Sequence, residues 1–182
     1  PLDPPIIIGP EPEPEPWPVK LKIRLSDGKV REIQTMSSTY FYVDGKPIGA
    51  EDFIKHLYEK VQLTSILGSE EELRKAWSNP LTRRDLLQKL EDAGCPKDDL
   101  RELQKCIEAE NCDLFDVLEY VAYAKAPVTR EARVETSRDN IYNLLNEAQR
   151  EFVSYVLRNY VTVGVDQLDI SKLSTVLTAK YG

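Results

Sequence analysis

Two aspartates and two arginines between Asp113 and Arg133 have the types and spacing that could do chemistry. Asp113 and Asp116 lie three residues apart, so on one helix both carboxylates would face the same side and could hold a metal ion. Arg130 and Arg133 have the same spacing and could together bind a phosphate or a partner's carboxylate. Each pair also has a structural interpretation, in which the aspartates cap a helix and the arginines pair with them internally. We prefer capping for the aspartates, and both interpretations of the arginines stay open.

The sequence lacks the motifs of the common catalytic sites. It has no Gly-x-x-x-x-Gly-Lys phosphate-binding loop, no Gly-x-Gly-x-x-Gly dinucleotide motif and no Gly-x-Ser-x-Gly nucleophile elbow. Restriction-type nucleases use an acidic residue with Glu-x-Lys, yet no Glu here has Lys two positions later. The two Asp-x-Lys matches, at Asp27 and Asp44, each contain a glycine that marks a turn. We therefore predict no catalytic residue and no cofactor, unless a site forms from residues far apart in sequence.

Cysteine and histidine content argues against a metal centre and for a reducing compartment. His56 is the only imidazole, and the three cysteines, Cys95, Cys106 and Cys112, lack Cys-x-x-Cys spacing. We predict reduced, buried thiols. No apolar run approaches the roughly 20 residues that cross a membrane, and no basic segment resembling a signal peptide precedes the first apolar residues. These features predict a cytoplasmic protein without membrane contact.

The residues around the two aspartates predict a buried helix followed by a corner. Apolar side chains recur at helical spacing over most of its surface: Leu114, Val117, Leu118, Val121 and Ala122. Pro127 should end this helix, and Thr129 can cap a second one that starts at Arg130. Three aromatic residues are predicted to belong to the core: Trp77, Phe115 and Tyr123.

The rest of the chain predicts a mainly α fold, with a multi-helix domain preceded by a small antiparallel β-sheet and a proline-rich linker. Residues 1–18 hold eight of the twelve prolines, interleaved with glutamates, and predict an extended spacer, with a motif for a proline-binding domain as the alternative. Residues 19–48 predict three strands, at 19–25, 30–36 and 39–43, joined by glycine-containing turns. Residues 49–182 change to helical periodicity and form the third predicted domain.

Capping residues predict where the helices of the third domain begin. In chain order, these start signals are Ser69, Thr82, Pro96, Thr129 and, for a last short helix, Asp169 or Ser171. A first helix should end near Gly68, and the two longest helices should cover 130–145 and 147–163. Their predicted inward-facing residues are Ile141, Leu144 and Leu145 on the first, and Phe152, Val153, Val156, Leu157 and Tyr160 on the second.

Charge is distributed unevenly and limits where nucleic acid could bind. Residues 51–125 carry 11 basic and 17 acidic side chains, so this middle block should repel DNA. Residues 19–46 have a local net charge of +3. The candidate contacts with a partner or with DNA are Lys20, Lys22, Arg24, Lys29 and Arg31, together with Arg130 and Arg133. The alternative is that these side chains only solvate and protect an exposed sheet edge.

The stretch Asp113-Leu-Phe-Asp-Val-Leu-Glu-Tyr-Val-Ala-Tyr123, followed by the Pro-Val-Thr-Arg-Glu-Ala-Arg of residues 127–133, resembles a known family. It is similar to the C-terminal helical region of the restriction (motor) subunit of type I restriction-modification enzymes. The similarity extends from about Val19 to Gly182, and includes residues 42–46, Trp77 and residues 160–164. Two departures are Ala132, where the family pattern has Glu, and the Pro-Glu tract at the N-terminus.

The resemblance implies a function that the residues alone do not give. The parent chain would be an ATP-dependent type I site-specific deoxyribonuclease that uses ATP and Mg²⁺ in domains outside this fragment. The fragment itself would be a non-catalytic assembly module that docks the motor onto the methyltransferase and specificity subunits. DNA would be reached through that complex, and the alternative is a DNA-contacting accessory domain of the same subunit.

Overall fold

The computed structural model describes residues 2–13, 17–36, 39–63 and 69–164, with the backbone alone for 61–63. Four strands and seven helices form within these residues: β1 (Pro18–Arg24), β2 (Val30–Met36), β3 (Phe41–Val43), β4 (Lys46–Ile48), α1 (Ala50–Leu63), α2 (Glu70–Ser78), α3 (Pro80–Asp92), α4 (Lys97–Cys106), α5 (Leu114–Tyr123), α6 (Arg130–Tyr142) and α7 (Glu147–Val163). The predicted mainly α fold is confirmed. Residues 2–13 are exposed and form neither strand nor helix. The predicted helix end near Gly68 and the predicted last helix lie outside the described residues.

The N-terminal strands form two separate antiparallel hairpins, where the sequence analysis predicted one sheet. β1 pairs with β2 in a register that sets Pro18 opposite Met36 and Arg24 opposite Val30. Gly28 in the connecting turn has a φ of +77°, a conformation that glycine adopts without steric cost. This first hairpin agrees with the prediction.

The second hairpin contains a strand that the sequence analysis missed. β3 pairs with β4, which includes Pro47, a residue that had been assigned to the turn. Asp44 and Gly45 both have positive φ, as a tight two-residue hairpin turn requires. Because that turn ends at Gly45, the chain returns beside β3 two residues earlier than predicted. Proline is tolerated there because each strand of a two-stranded sheet is an edge.

Side-chain caps begin α2 and α6, as predicted. The Ser69 hydroxyl accepts a hydrogen bond from the Glu72 N–H at 3.2 Å, and the Thr129 hydroxyl accepts one from the Ala132 N–H at 3.2 Å. Gly164 forms the C-cap of α7. Each such cap stabilises its helix by about 1 kcal/mol.

Two predicted helix starts are wrong, that of α3 by three residues and that of α4 by one. α3 begins at Pro80 with Asn79 as its cap, so Thr82 lies inside the helix. The Thr82 hydroxyl donates instead to the Ala76 carbonyl at 2.6 Å. Pro96 is the residue before α4 and not its first residue. Both errors arise because proline can occupy either side of a helix start.

The main hydrophobic core is built around α5. Eight of the ten residues of α5 are buried, and the helix packs against α1, α2 and α4. Trp77 and Phe115 are confirmed as core residues, with ring centroids 6.1 Å apart, and Tyr123 packs half-buried against the same core. The three cysteines are confirmed as free, buried thiols. Burial raises the pKa of Cys95 to about 12.

The two hairpins contribute side chains to the same core as the helices. Ile23 of β1 and Ile33 of β2 are buried in it, and Phe41 of β3 stacks on Phe53 of α1 with ring centroids 4.3 Å apart. The hairpins and α1–α5 therefore share one core. No helix within the described residues is long and apolar enough to span a membrane.

Arg31 is fully buried, although the sequence analysis placed it on the basic face of the sheet. Its Nε donates to the Tyr120 carbonyl at 2.9 Å, and its Nη2 donates to the Val121 carbonyl at 2.7 Å. These carbonyls belong to the last turn of α5, where the Tyr120 carbonyl also accepts the Ala124 N–H at 3.0 Å and the Val121 carbonyl is bound by Arg31. The Asp27 carboxylate also binds Arg31, which lowers the pKa of Asp27. Arg31 thus satisfies the C-terminal end of the buried helix, where the helix dipole favours a cation.

Helices α6 and α7 form a hairpin outside the main core. Val134, Val156 and Tyr160 are buried in this hairpin but lie outside the main core cluster. Leu144 was predicted to face inward, but it is 86% exposed. The reason is that α6 ends at Tyr142, so Leu144 lies in the loop and not on a helix face.

We expect substitution of Arg31 to destabilise the fold more than any loss of surface charge would. Arg31→Met removes the donor to the buried Val121 carbonyl and the cation beside Asp27, and should lower the free energy of unfolding by roughly 2–4 kcal/mol. Arg24→Met, on the exposed face of β1, should change it by less than about 0.5 kcal/mol. Urea unfolding followed by circular dichroism measures both. Equal midpoints for the two variants would show that Arg31 does not hold the hairpin to α5.

Candidate interaction surface

The N-terminus of α5 is the site where the predicted aspartates and arginines meet. The Asp116 carboxylate accepts a hydrogen bond from the Asp113 N–H at 3.0 Å and another from the Val128 N–H at 3.1 Å. Arg133 of α6 donates to the same carboxylate at 2.5 Å. The Asp116 side chain is only 1% exposed. Asp116 therefore fixes the start of α5, the loop after it and the first turn of α6 with one buried carboxylate.

Opposing effects act on the ionisation of Asp116. Burial raises its pKa, whereas the charge of Arg133 and the backbone N–H donors of Val128 and Asp113 lower it. The rise caused by burial is the larger effect. A buried, charged carboxylate destabilises the folded state unless a cation lies beside it, and here Arg133 is that cation.

Arg130 and Tyr160 connect the base of the α6–α7 hairpin to the same place. Arg130 is buried, and it donates to the Cys112 carbonyl at 2.6 Å through Nη1 and to the Val161 carbonyl at 3.0 Å through Nε. The Tyr160 hydroxyl donates to the Asp113 carboxylate at 2.6 Å. Burial and that carboxylate both raise the pKa of Tyr160, so the hydroxyl keeps its proton. The hairpin is thus tied to α5 by directional polar bonds.

Both predicted pairs are therefore brought together in what we call the corner network: Asp113, Asp116, Arg130, Arg133 and Tyr160. From the sequence, Tyr160 was predicted to be an inward-facing residue of α7 and part of the family resemblance, with no polar partner assigned to it. Each aspartate accepts hydrogen bonds from protein donors, and the described residues contain no group of three potential metal ligands. Thr129 caps α6, the helix that carries Arg130 and Arg133.

The predicted basic residues of the first hairpin are divided between its two faces. Lys20, Lys22 and Arg24 alternate on β1 with side chains that face the core, and they are exposed. Lys22 lies 3.8 Å from Glu32, a loose and solvated ion pair. Lys29, in the turn, is exposed as well, whereas Arg31 is enclosed by α5. The exposed basic surface therefore consists of four residues and not five.

A large groove lies between α6 and α7. It has a volume of about 880 Å³ and an open top. Apolar side chains lie between charged ones along it, and its lining includes Val134, Leu157, Val161, Glu135, Arg138 and Arg158. The apolar face of α7 was predicted from the sequence. The α6 side of the groove was not, because α6 is mostly polar and its residues form a groove only where they lie beside α7.

A family model described as EcoEI R protein C-terminal matches residues 51–182 of the chain. The chain belongs to this family. It is thus a C-terminal domain of a type I restriction enzyme R subunit, as the resemblance implied. The match begins at the start of α1, so the two β-hairpins lie outside it, although the resemblance was expected from Val19. None of the curated proteins and none of the solved structures compared with the R-subunit domain matches it.

We expect Asp116 and Arg133 of the R-subunit domain to be strongly coupled. In a double-mutant cycle with Asp116→Asn and Arg133→Gln, the interaction free energy should be about 1–3 kcal/mol, because the pair is buried and charge-assisted. The same cycle on the exposed pair Glu51 and Lys55 should give less than about 0.5 kcal/mol. Urea unfolding of the four proteins in each cycle gives both numbers. Additive effects at Asp116 and Arg133 would rule out the pair as the tie between α5 and α6.

Proposed function

We propose that this chain is a non-catalytic assembly module that docks the motor of a type I restriction enzyme onto its methyltransferase and specificity subunits. The family supports the setting, since an R subunit implies a complex with modification and specificity subunits, and the parent enzyme is a nuclease. The observation that carries the proposal is the α6–α7 groove, held in a fixed orientation by the corner network.

The composition of the groove suits protein recognition. Val134, Leu157 and Val161 give it an apolar floor, and Glu135, Arg138 and Arg158 place both signs of charge along it. Specific protein interfaces have an apolar centre and a polar rim, and they bury roughly 800 Å² on each partner. A partner helix that inserts apolar side chains between α6 and α7 would combine both features.

The corner network reduces the cost of such docking. Association must immobilise flexible groups, and a surface that is already ordered loses less entropy. The orientation of the α6–α7 hairpin relative to α5 is restricted, because Arg130, Arg133 and Tyr160 each bond to α5 or to the residues just before it. The groove therefore has its binding orientation before a partner arrives.

We expect a bulky residue in the groove to weaken docking. Thr162 lines the groove and is exposed, and Thr162→Arg should reduce affinity for the methyltransferase–specificity complex by at least about tenfold, since it fills space that a partner would occupy. Isothermal calorimetry without DNA measures this.

The matched control for the docking test is Thr136→Arg. Thr136 is also exposed and bonds the carbonyl four residues earlier, as Thr162 does, but it does not line the groove. It should bind within about twofold of the wild-type chain. Equal heats with and without the complex would refute docking, and equal affinities for the two variants would refute the groove as its site.

A DNA-contacting role is the second candidate, and the exposed side chains of β1 favour it. Lys20, Lys22 and Arg24 lie on one strand face, as contacts with a phosphate backbone would require. Against it, the chain carries a net charge of −7.

Fluorescence anisotropy with a labelled duplex at low salt separates the two roles. If docking is the role, we expect no micromolar binding by the isolated chain. Micromolar binding with a salt slope of about −0.9 per phosphate contact would favour DNA. That binding should be lost when Lys20, Lys22 and Arg24 are all replaced by Glu. It should survive the same change at Lys55, Lys89 and Lys105, which are exposed on α1, α3 and α4.

A further inference from the structure

A second concave site lies at the N-terminus of α5, on the other side of the corner network. It is a small pocket of about 120 Å³ between α3, α4, the start of α6 and the end of α7. We call it the α5 pocket. Residues 112–114, which begin α5, form one of its walls. The N–H groups and the positive dipole end of a helix favour an anion in such a place.

Cationic side chains dominate the lining of the α5 pocket. Four of them take part, Arg83, Lys97, Arg101 and Arg130, against the single carboxylate of Asp113. These cations come from three different helices, so their convergence is a product of the tertiary fold. The middle of the chain is acidic as a whole, which makes a concentration of positive charge here stand out from its surroundings.

Neutral acceptors bind the two buried arginines of the pocket. Arg83 and Arg130 are both buried, and their hydrogen bonds go to the backbone carbonyls of Trp77, Cys112 and Val161. A carbonyl oxygen accepts the guanidinium N–H but does not neutralise the positive charge of the arginine. The one carboxylate of the pocket, Asp113, accepts the hydroxyl of Tyr160.

Two further side chains of the pocket carry N–H donors. Arg101 pairs with Asp98 at 3.6 Å, but both side chains are more than half exposed, so this pairing is weak. Trp77, which is 7% exposed, also lines the pocket, and its indole N–H has no acceptor in the part of the chain that the structure describes. A buried indole N–H normally has a partner, which makes this one an indication of a missing acceptor.

We propose that the α5 pocket binds one carboxylate group from an acidic side chain of the protein on which this domain docks. This rests on the proposed docking function and names the chemistry of one of its contacts. Arg and Trp side chains in a partly enclosed pocket are the residues that most often dominate an interface. A charge-assisted contact there would fix the register of the complex.

A carboxylate fits the α5 pocket better than a nucleic-acid phosphate does. The pocket has a volume of about 120 Å³, so it takes a single group at the end of a side chain. A phosphate of duplex DNA comes with neighbouring phosphates on both sides, and a chain with a net charge of −7 repels them. A protein partner can present one acidic side chain without that repulsion.

Nuclear magnetic resonance of the 182-residue chain tests the pocket directly. The chain has two tryptophans, so the indole N–H signal of Trp77 can be followed with that of Trp17, 55% exposed, as an internal reference. The probe is the α-amide of N-acetylglutamate, whose only charge is one side-chain carboxylate. We expect a saturable downfield shift of the Trp77 signal, no shift of the Trp17 signal, and neither shift with the corresponding glutamine compound.

A matched pair of variants on α4 locates the binding. Arg101→Gln removes a cation of the pocket and should weaken the titration by about tenfold. Lys105→Gln makes the same charge change, also at a residue paired with an acid three positions earlier, but outside the pocket, and it should have no effect. Since Arg101 and Lys105 are both exposed, neither change should disturb folding.

Four outcomes of the titration would overturn the proposal. These are a Trp77 signal that does not move, an equal loss with Arg101→Gln and Lys105→Gln, tighter binding of inorganic phosphate than of the carboxylate, and a shift that appears only when Asp166 and Asp169 are changed to Asn. The last result would mean that the chain's own carboxylate is the ligand.

The methyltransferase–specificity complex separates this inference from the docking proposal. If wild-type chain binds the complex and Arg101→Gln binds about tenfold more weakly, both stand. If the wild-type chain and the Arg101→Gln variant bind equally, the docking proposal is supported and the carboxylate contact is refuted. If wild-type chain does not bind at all, docking falls, and with it the assignment of the pocket to that partner.

Discussion

A helix that is buried over most of its surface must have the polar groups at both of its ends satisfied inside the protein, and α5 is organised by this requirement. At its C-terminal end, Arg31 donates to the carbonyls of Tyr120 and Val121. At its N-terminal end, Asp116 accepts the N–H of Asp113 and pairs with Arg133. An unpaired backbone group or charge in this position would cost several kcal/mol, so the hairpin that carries Arg31 and the helix that carries Arg133 are both held in place by α5.

The two ends of α5 have different consequences for function. The Arg31 end joins the first β-hairpin to the main core and leaves Lys20, Lys22 and Arg24 outside as a separate basic face. The Asp116 end orients the α6–α7 hairpin, which shares little of the apolar core and depends on polar bonds for its position. Directional bonds specify an orientation better than apolar packing does, since apolar contacts tolerate sliding. A hairpin held in this way suits a surface that must meet another subunit in one register.

The corner network lies between two concave sites that differ in polarity and charge. The α6–α7 groove has an apolar floor with charges of both signs, and the α5 pocket is mostly cationic. Arg130 lines the pocket and also bonds to Val161, which lines the groove. A partner that used both recesses would gain apolar contact area from one and charge selectivity from the other, which is the division of roles found in protein interfaces.

The sequence by itself determined the local features of this protein. The caps at Ser69 and Thr129, the turn at Gly28, the apolar face of α5 and the family all follow from residues close together in the chain, because capping, turn conformation and helical periodicity depend only on near neighbours. Tertiary structure decided the rest. Arg31 and Lys29 are alike in sequence pattern, yet only Arg31 meets the end of α5, and the pocket cations come from three helices. Such contacts depend on how helices pack, and a local pattern carries no information about a partner 90 residues away.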